Sequence, residues 1–441
     1  MKKRLLFAAL LAGMFHVNGQ NYYMESPEGF GAAATGGGSA TPITVTTYTA
    51  LKTNIEAAGP KVILVSGTIT IPEGQQISKV VTDKTILGLP GAKLVNNSQT
   101  QSGSGILNLK NGSNNVIIRN LIFEGPGAYD VDGRDNLTAD GCTNLWVDHC
   151  EFQDGVDGNF DIKGNSDDVT VSWCKFTYLK PAVPGGPGGS NDHRFSNLVG
   201  SSSTNAPVDG HYSVTFQNCF WADGVKARMP RARNAELHIL NCYVNTDVSS
   251  STALGLGGGI NDLTCYVENT DFANVGNVYQ NASSDGGTVS LVFDNCLNGE
   301  SNVGTVTAPT YSYTVIEVED VAEVISNESC GAGATLDITD TGEISSSCDN
   351  LGLQDLESIG VKVYPTIVED MCYIEVPSKL NGNVSIEIFT VTGQKLDALP
   401  NTHEMDGLER YALDLSQFSK GMYICKLQIN GKTESFRLMK R

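Results

Sequence analysis

Seven segments of this chain repeat one pattern of apolar and polar positions. The second and fourth residues are apolar and the sixth is usually asparagine in NVIIRNLIF, NLWVDHCEF, DVTVSWCKF, SVTFQNCFW, ELHILNCYV, TCYVENTDF and SLVFDNCLN. The sixth positions are Asn120, His149, Trp173, Asn218, Asn241, Asn269 and Asn295. Spacings of 23 to 29 residues, with one of 45, correspond to one coil of a solenoid rather than one hairpin. The inward apolar residues would bury each coil against the next, so the pattern predicts an all-β fold, a parallel β-helix.

Stacked coils bring equivalent positions into columns. Asparagine above asparagine can exchange side-chain hydrogen bonds along the stack. The same stacking places four cysteines in one column, Cys150, Cys174, Cys219 and Cys242. Such a column is either a metal or redox site or a buried apolar filler, and we favour the filler. For Trp146 and His149 we favour a packed rung with a satisfied imidazole over a catalytic role.

The 45-residue spacing contains a segment of different composition. Residues 180–200 read KPAVPGGPGGSNDHRFSNLVG, which is too rich in glycine and proline for a regular coil. We expect a loop that leaves the helix, followed by an irregular turn. Long loops on rigid scaffolds often carry function.

The length of 441 residues favours two domains, and the N-terminus predicts export. Cationic residues at positions 2 to 4, an apolar run from Leu5 to Phe15, and VNG before Gln20 predict a signal peptide over residues 1–20. No later segment has 18 continuous apolar residues, so we expect a soluble exported protein. Eleven cysteines are an odd number, so at least one thiol is unpaired or intermolecular.

The charge distribution limits the class of partner. A formal net charge of -20 argues against nucleic acid, because no extended basic face is present. The stretch KARMPRAR, from Lys226 to Arg233, nevertheless holds four cations in eight residues. It is either a solvated charged turn or a site for a defined acidic ligand.

Counting back from the repeats places charged residues on one face of the solenoid. Asp135 lies nine residues before its repeat, Asp161 seven before the next, and Arg228 eight before a later one. We expect the two aspartates about one strand spacing (~4.8 Å) apart and Arg228 about two spacings further on. Asp157 adds a third carboxylate. These side chains are either solvated loop residues or hard oxygen ligands of the kind that suits calcium.

Arginines on the same face as an acidic group suggest a particular ligand. Arg228 and Arg233 flank Pro230, which stiffens the backbone between them. Guanidinium groups bind carboxylates in bidentate geometry, which lysine cannot do. A cleft with calcium at one end and arginines at the other fits a polyanion with regularly spaced carboxylates, such as polygalacturonate.

Longer motifs over residues 25–340 point to a known family. They include GFGAAATGG, VSGTI, TILG, DGRDNLTADGCTNLWVDHCEF, DGNFDIKGNSDDVTVSW, ARMPRAR and HILNCYV. Their combination resembles the pectate lyases of polysaccharide lyase family 1. The resemblance implies a right-handed parallel β-helix and calcium-dependent β-elimination of α-1,4-linked galacturonan.

The resemblance also assigns the calcium ligands. The family's ligand positions correspond to Asp135, Asp157 and Asp161. Many members carry a further carboxylate two residues before the position of Asp135, where this chain has Gly133. Asp132 could substitute only if the loop shifts.

The same resemblance assigns the basic residues. Arg228 corresponds to the arginine that removes the C5 proton, and Arg233 to the arginine that grips a substrate carboxylate. The substrate-binding lysine of the family falls at either Lys180 or Arg194. Because arginine has a pKa above 12, Arg228 acts either as a perturbed neutral base or as an electrostatic stabiliser.

The repeat stops near residue 343, and a different pattern begins. Residues 344–358 predict a linker between a domain over 21–343 and a second over 359–441. Alternating apolar residues with turn signals predict a small antiparallel β-sandwich. VYP, TVTGQKL and KGMYICKL resemble the sorting domains of the type IX secretion system, which implies export to the cell surface and removal there. The alternative is a carbohydrate-binding module, which would more usually display exposed aromatic residues, and this segment has no tryptophan.

Three other functions share this architecture. A polygalacturonase would carry NTDG and GHG, which are absent. A pectin lyase, which acts on methyl-esterified pectin without calcium, would have basic residues in place of the acidic group. A surface glycan-binding solenoid would need no Arg228. We therefore expect a secreted, monomeric pectate lyase that acts on polygalacturonate with Ca²⁺.

Overall fold

A computed structural model describes residues 22–346, 360–377, 384–390, 394–396, 401–405, 408–429 and 432–441. The predicted signal peptide and most of the predicted linker lie outside these residues. The described chain falls into two compact units, of which the larger is Tyr22–Ser347. No described residue belongs to a helix that is long and apolar enough to cross a membrane.

The larger unit consists mainly of short strands. Its described strands are β1 Ile43–Val45, β2 Lys61–Val65, β3 Thr68–Thr70, β4 Ile77–Lys79, β5 Thr82–Gly88, β6 Lys93–Val95, β7 Leu107–Leu109, β8 Ser113–Arg119, β9 Ile122–Glu124, β10 Leu137–Asp140, β11 Cys142–Asp148, β12 Glu151–Gln153, β13 Phe160–Lys163, β14 Asp167–Ser172, β15 Lys175–Thr177, β16 Leu198–Val199, β17 Tyr212–Gln217, β18 Phe220–Trp221, β19 Arg231–Arg233, β20 Ala235–Leu240, β21 Tyr243–Asn245, β22 Thr252–Gly257, β23 Leu263–Glu268, β24 Asp271–Asn274, β25 Asn277–Asn281, β26 Val289–Asp294, β27 Leu336–Ile338 and β28 Ile344–Ser346. Its helices are α1 Tyr48–Glu56 and α2 Val318–Ile325, with 3₁₀ helices at Phe30–Ala33 and Ser283–Asp285.

Three parallel sheets wind around one core. The first has ten strands in the order β1-β2-β5-β8-β11-β14-β17-β20-β23-β26. The second runs β25-β22-β19-β16-β13-β10-β7-β4, and the third runs β24-β21-β18-β15-β12-β9-β6-β3. Inward residues such as Leu145, Val169 and Val214 pair in register and are fully buried. The predicted parallel β-helix is therefore confirmed.

The repeat position, usually asparagine, directly follows seven of the ten strands of the first sheet, from β8 to β26. All seven repeat positions, from Asn120 to Asn295, have a positive φ of 44° to 57°. Asparagine tolerates this left-handed conformation better than most residues, which explains its recurrence. The amide of Asn241 donates to Asn218 at 2.9 Å, so the predicted side-chain ladder exists at this step.

The cysteine column, Trp146 and His149 are packed in the interior as predicted. The four cysteines of the predicted column are buried free thiols, as expected of apolar filler. Nδ1 of His149 lies 2.8 Å from Asp148 Oδ2, and its Nε2 lies 3.0 Å from the Tyr22 carbonyl oxygen. Trp146 donates to Ser172 at 2.9 Å. Trp146 and His149 are both buried, so the packed rung is confirmed.

The C-terminal unit contains two further sheets. Its described strands are β29 Lys362–Tyr364, β30 Ile367–Val368, β31 Met371–Pro377, β32 Val384–Thr390, β33 Lys395–Leu396, β34 Asn401–Met405, β35 Leu408–Asp414, β36 Gly421–Ile429 and β37 Lys432–Lys440. They form the orders β29-β31-β35-β34 and β30-β37-β36-β32-β33, antiparallel except between β30 and β37. Ile374 and Leu413 of one sheet share a hydrophobic cluster with Cys425 and Phe436 of the other. The sandwich arrangement itself stays a prediction.

Candidate active site

The second parallel sheet places the predicted acidic and basic residues in sequence along one face. Asp161 lies on β13, where it pairs with Thr138 of the neighbouring β10. Asp135 lies two residues before β10, and Arg228 lies three residues before β19. Only β16 separates β13 from β19. The order along the sheet is therefore the one that the repeat spacing predicts.

Two carboxylates face each other across a bare backbone position. Asp135 and Asp161 are each only 3% exposed. A Cβ on Gly158 would lie 2.7 Å from Asp135 Oδ1 and 3.4 Å from Asp161 Oδ1. The hydroxyl of Thr138 donates to Asp135 at 3.1 Å, and the backbone amide of Leu198 donates to Asp161 at 3.1 Å. Glycine thus leaves a small cradle between two oriented carboxylates.

A lysine lies against the same two aspartates. The Lys163 ammonium is 3.5 Å from Asp135 Oδ2 and 4.0 Å from Asp161 Oδ2. Burial, and then the charge of Asp135, raises the pKa of Asp161 well above its ordinary value, although Lys163 and Arg228 act in the opposite direction. The two buried carboxylates therefore still repel each other in the presence of these two cations.

The third predicted ligand, Asp157, is held by the long loop. Nδ1 of His193 lies 2.5 Å from Asp157 Oδ1. Burial, followed by the charge of Asp135, raises the pKa of Asp157, while His193 and Arg228 oppose the shift. Nε2 of His193 lies 3.4 Å from Asp130 Oδ1 and makes no hydrogen bond within the described part of the chain. The loop 180–200 thus reaches the acidic group.

The structure also shows what stands at the position of the missing family carboxylate. A Cβ on Gly133 would lie 2.7 Å from Val156 Cγ1 and 3.1 Å from Ser104 Oγ. The position therefore points into packed side chains. Asp132 is exposed, whereas Asp130 is buried beside His193.

The acidic group fits a hard cation by its chemistry. Among the described residues, no cluster of three or more His, Cys, Asp or Glu side chains is arranged as a ready metal site. Three carboxylates, together with a cradle that a Cβ would fill, nevertheless supply the oxygen donors that calcium prefers. Asp135, Asp157 and Asp161 are the residues that would hold it.

Arg228 lies close enough to act on this acidic group through its charge, since it opposes the raised pKa of Asp157 and of Asp161. Its backbone has a φ of 66°, which is uncommon for a residue with a side chain. Its guanidinium carbon lies 4.1 Å from the centroid of the Phe195 ring. Both side chains are partly exposed.

Arg233 is paired with an aspartate from a later coil. Its Nε donates to Asp285 Oδ2 at 2.9 Å, and its Nη1 donates to the Gly200 carbonyl oxygen at 2.9 Å. Arg231, two residues earlier on β19, binds the same Asp285 oxygen. A Cβ on Gly257 of β22 would collide with Asp285, so glycine there makes room for the pair. Two guanidinium groups therefore share one carboxylate.

Lys180 and Arg194, the two candidates for the substrate-binding cation, contact different groups of the protein. The Lys180 ammonium donates to the Gly125 carbonyl oxygen at 2.9 Å and lies 3.5 Å from Asp154 Oδ2. Arg194 makes a bidentate pair with Asp192 at 2.9 and 2.8 Å. Both positions remain open for this role.

Sequence reasoning missed several residues of the site: Lys163, His193, Phe195, Arg231 and Asp285. Lys163 lies two residues after Asp161, and Arg231 lies two residues before Arg233. In a strand this spacing puts side chains on one face, so both could have been found. His193 and Phe195 lie on the loop 180–200, and Asp285 lies in the 3₁₀ helix Ser283–Asp285; the repeat determines the position of neither segment.

Comparisons with known proteins agree with this architecture. Residues 3–334 match the pectate lyase family, and residues 362–441 match the secretion system C-terminal sorting domain. A probable pectate lyase B of Aspergillus flavus is 32% identical over 317 residues, which cover 68% of this chain and 86% of that protein. A pectate trisaccharide-lyase of a Thermotoga species is 34% identical over 256 residues, which cover 54% of this chain and 62% of that protein.

Solved structures show the same fold at low sequence identity. A Bacillus pectate lyase in complex with trigalacturonate has a TM-score of 0.52 at 20% identity, and covers 70% of this chain and 99% of its own. A thermostable pectate lyase has a TM-score of 0.54 at 19% identity, and covers 70% and 98%. The sorting domain, together with this extracellular family, indicates a secreted protein. The chain belongs to the pectate lyase family of polysaccharide lyases.

Proposed function

We propose that this protein cleaves α-1,4-linked polygalacturonate by calcium-assisted β-elimination and releases 4,5-unsaturated oligogalacturonides. One observation carries the proposal: the buried Asp135 and Asp161 and the arginines Arg228 and Arg233 lie on, or just before, strands β10, β13 and β19 of a single sheet. An acidic polymer can span both, through a cation at one end and guanidinium groups at the other. The names of the relatives, pectate lyase and pectate trisaccharide-lyase, support the same substrate class.

In this proposal Asp135, Asp157 and Asp161 hold the calcium ion. When bound, calcium would neutralise a substrate carboxylate and so make the adjacent C5 proton easier to remove. Lys163 stays beside Asp135 and Asp161, where it limits the repulsion between the two buried carboxylates.

Arg228 is the residue that we assign to the reacting carbon. Loss of the C5 proton leaves an electron pair that becomes the C4–C5 double bond, while the C4–O bond breaks. The departing sugar oxygen takes up a proton from solvent, which balances the proton lost from C5, so no water is added across the bond. Arg228 serves at C5 either as proton acceptor or as stabiliser of the negative charge that develops on the uronate. Arg233, with Lys180 or Arg194, would bind neighbouring carboxylates of the chain.

Two alternatives remain distinct from this proposal. A pectin lyase would act on methyl-esterified chains without calcium, and the acidic group of Asp135 and Asp161 argues against it. A non-catalytic glycan-binding solenoid would not need Arg228, whose guanidinium makes no ion pair among the described residues.

One experiment separates these functions. The protein is incubated with polygalacturonate and with highly methylated pectin, each with calcium and with chelator. Near-ultraviolet absorbance reports the unsaturated product, and a reducing-end assay reports every cleavage. The proposal predicts absorbance from polygalacturonate that the chelator removes. Activity that survives the chelator would contradict the calcium assignment, and reducing ends without absorbance would indicate hydrolysis.

For the C-terminal unit we propose recognition by the type IX secretion machinery, with residues 359–441 acting as the sorting domain and 21–343 as the catalytic one. The sorting-domain match over residues 362–441 supports this. Deletion of residues 359–441 should retain the lyase inside the outer membrane, as measured by activity in the medium against the cell fraction. Normal release of the truncated protein would contradict the assignment.

A further inference from the structure

Arg228 differs from the neighbouring arginines in what its guanidinium contacts. Arg194, Arg231 and Arg233 each donate to an aspartate. Within the described part of the chain, the Arg228 guanidinium makes no hydrogen bond or ion pair, and its interaction is with the Phe195 ring at 4.1 Å. A guanidinium within about 6 Å of a ring centroid makes a cation–π contact. All of its N–H donors therefore stay available to a substrate.

The backbones of the two residues are fixed against each other. Phe195 and Ala227 form a parallel bridge. The Ser196 amide donates to the Ala227 carbonyl oxygen at 3.0 Å, and the Asn197 amide donates to the Arg228 carbonyl oxygen at 2.6 Å. Arg228 itself is held at a φ of 66°, a left-handed conformation that is uncommon for a residue with a side chain. The ring and the guanidinium are thus brought together by backbone pairing on either side.

Phe195 is in turn held by Tyr178 and His193. The Tyr178 hydroxyl donates to the Phe195 carbonyl oxygen at 2.8 Å. The His193 ring centroid lies 5.2 Å from that of Phe195, and His193 contacts the carboxylate of Asp157. The ring under Arg228 therefore belongs to the same loop that reaches the acidic group.

We propose that Phe195 is a positioning residue for Arg228 in the elimination reaction. Its ring supports one face of the guanidinium, fixes the plane of that group, and favours its positive charge. A carboxylate in the same place would also fix the guanidinium but would occupy two of its donors. An aromatic ring orients the group and leaves its edge free for the uronate. This inference rests on the proposed function, because it presumes that Arg228 acts at the reacting carbon, and of the two roles given above it takes that of the charged stabiliser.

A positioning role makes a specific kinetic prediction. Because Phe195 is proposed to act through Arg228, weakening the contact should lower kcat on polygalacturonate and leave KM nearly unchanged. Phe195→Leu removes the π face at similar volume, and Phe195→Trp restores it. We expect Phe195→Leu to lower kcat at least about tenfold, and Phe195→Trp to recover most of the activity.

The sharper test replaces Phe195 in the full chain with mono-, di- and trifluorophenylalanine. Fluorine withdraws electron density from the ring face while the shape of the side chain changes little. The expected result is a stepwise fall in log kcat with each fluorine, to about tenfold for the trifluoro ring, with unchanged calcium affinity. The same series at Phe220, which stacks on Tyr243 in the third sheet, should leave kcat unchanged.

A kcat that stays constant or rises along the fluorine series would overturn the inference, even if Phe195→Leu is inactive, because the ring would then only fill space. If the proposed lyase function itself were wrong, the experiments would give a different result. In that case the unsubstituted protein gives no unsaturated product, or Arg228→Ala retains near-native turnover.

Discussion

The Lys163 ammonium lies 3.5 Å from the Oδ2 oxygen of Asp135, inside the group of carboxylates proposed to hold calcium. It is also 4.0 Å from Asp161. A lysine in this place supplies positive charge to two buried carboxylates that would otherwise repel each other. A divalent cation bound there would meet an ammonium group as its neighbour.

Removal of that ammonium should therefore strengthen calcium binding. Lys163→Gln leaves the carboxylates without a competing positive charge, and we expect calcium affinity at pH 8 to rise about tenfold. Titration calorimetry measures the change. Lys175→Gln, which removes a partly exposed lysine paired with Glu151 on the third sheet, is the control and should have no effect. Weaker calcium binding in Lys163→Gln would contradict the prediction.

Gly158→Ala should weaken calcium binding by at least about tenfold. The added Cβ would lie 2.7 Å from Asp135 Oδ1, closer than side-chain carbons normally approach an oxygen, so the carboxylate must turn away. Calcium affinity and thermal unfolding are measured together. Wild-type affinity in a fully stable Gly158→Ala protein would show that the cradle has no part in the site.

Arg233→Ala should raise KM for polygalacturonate about tenfold, since a charge-assisted bond to a carboxylate is lost. Arg231 would still neutralise Asp285, so the fold should remain intact. Lys52→Ala, a surface cation on α1 paired with Glu56, is the matched control. An unchanged KM in Arg233→Ala would remove this residue from the substrate site.

Acid should destabilise the β-helix through His238. This side chain is buried, with Nδ1 2.8 Å from the Tyr311 hydroxyl. Burial lowers the pKa of His238 from 6.5 to about 4. Glu268 lies 3.5 Å from Nε2, but no hydrogen bond forms there among the described residues, so burial dominates.

The lowered pKa of His238 means that the free energy of unfolding falls as the pH falls. The folded state favours the neutral imidazole, so the stabilisation is full above pH 6.5 and is lost as pH falls towards about 4. The loss is on the order of 3 kcal/mol of unfolding free energy at the acid end. Urea denaturation at pH 7 and pH 4.5 measures it, and His238→Gln should reduce the difference. An equal pH effect in both proteins would exclude His238 as its source.

The repeat was sufficient to predict the solenoid and the order of Asp135, Asp161 and Arg228, because each coil adds one strand to each sheet in register. The contacts of these residues could not be predicted in the same way. Phe195 reaches Arg228 from the long loop, and Asp285 reaches Arg233 from a later coil. Loop paths depend on packing that alternating apolar residues do not encode. Lys163 is the exception, since strand periodicity alone puts it beside Asp161.

The most direct measurement compares the unsubstituted protein with Arg228→Ala on polygalacturonate in calcium, with near-ultraviolet absorbance of the unsaturated product as the signal. The proposal predicts steady product formation by the first, loss of at least about three orders of magnitude in Arg228→Ala, and similar calcium affinity in both. Near-native turnover by Arg228→Ala would contradict it.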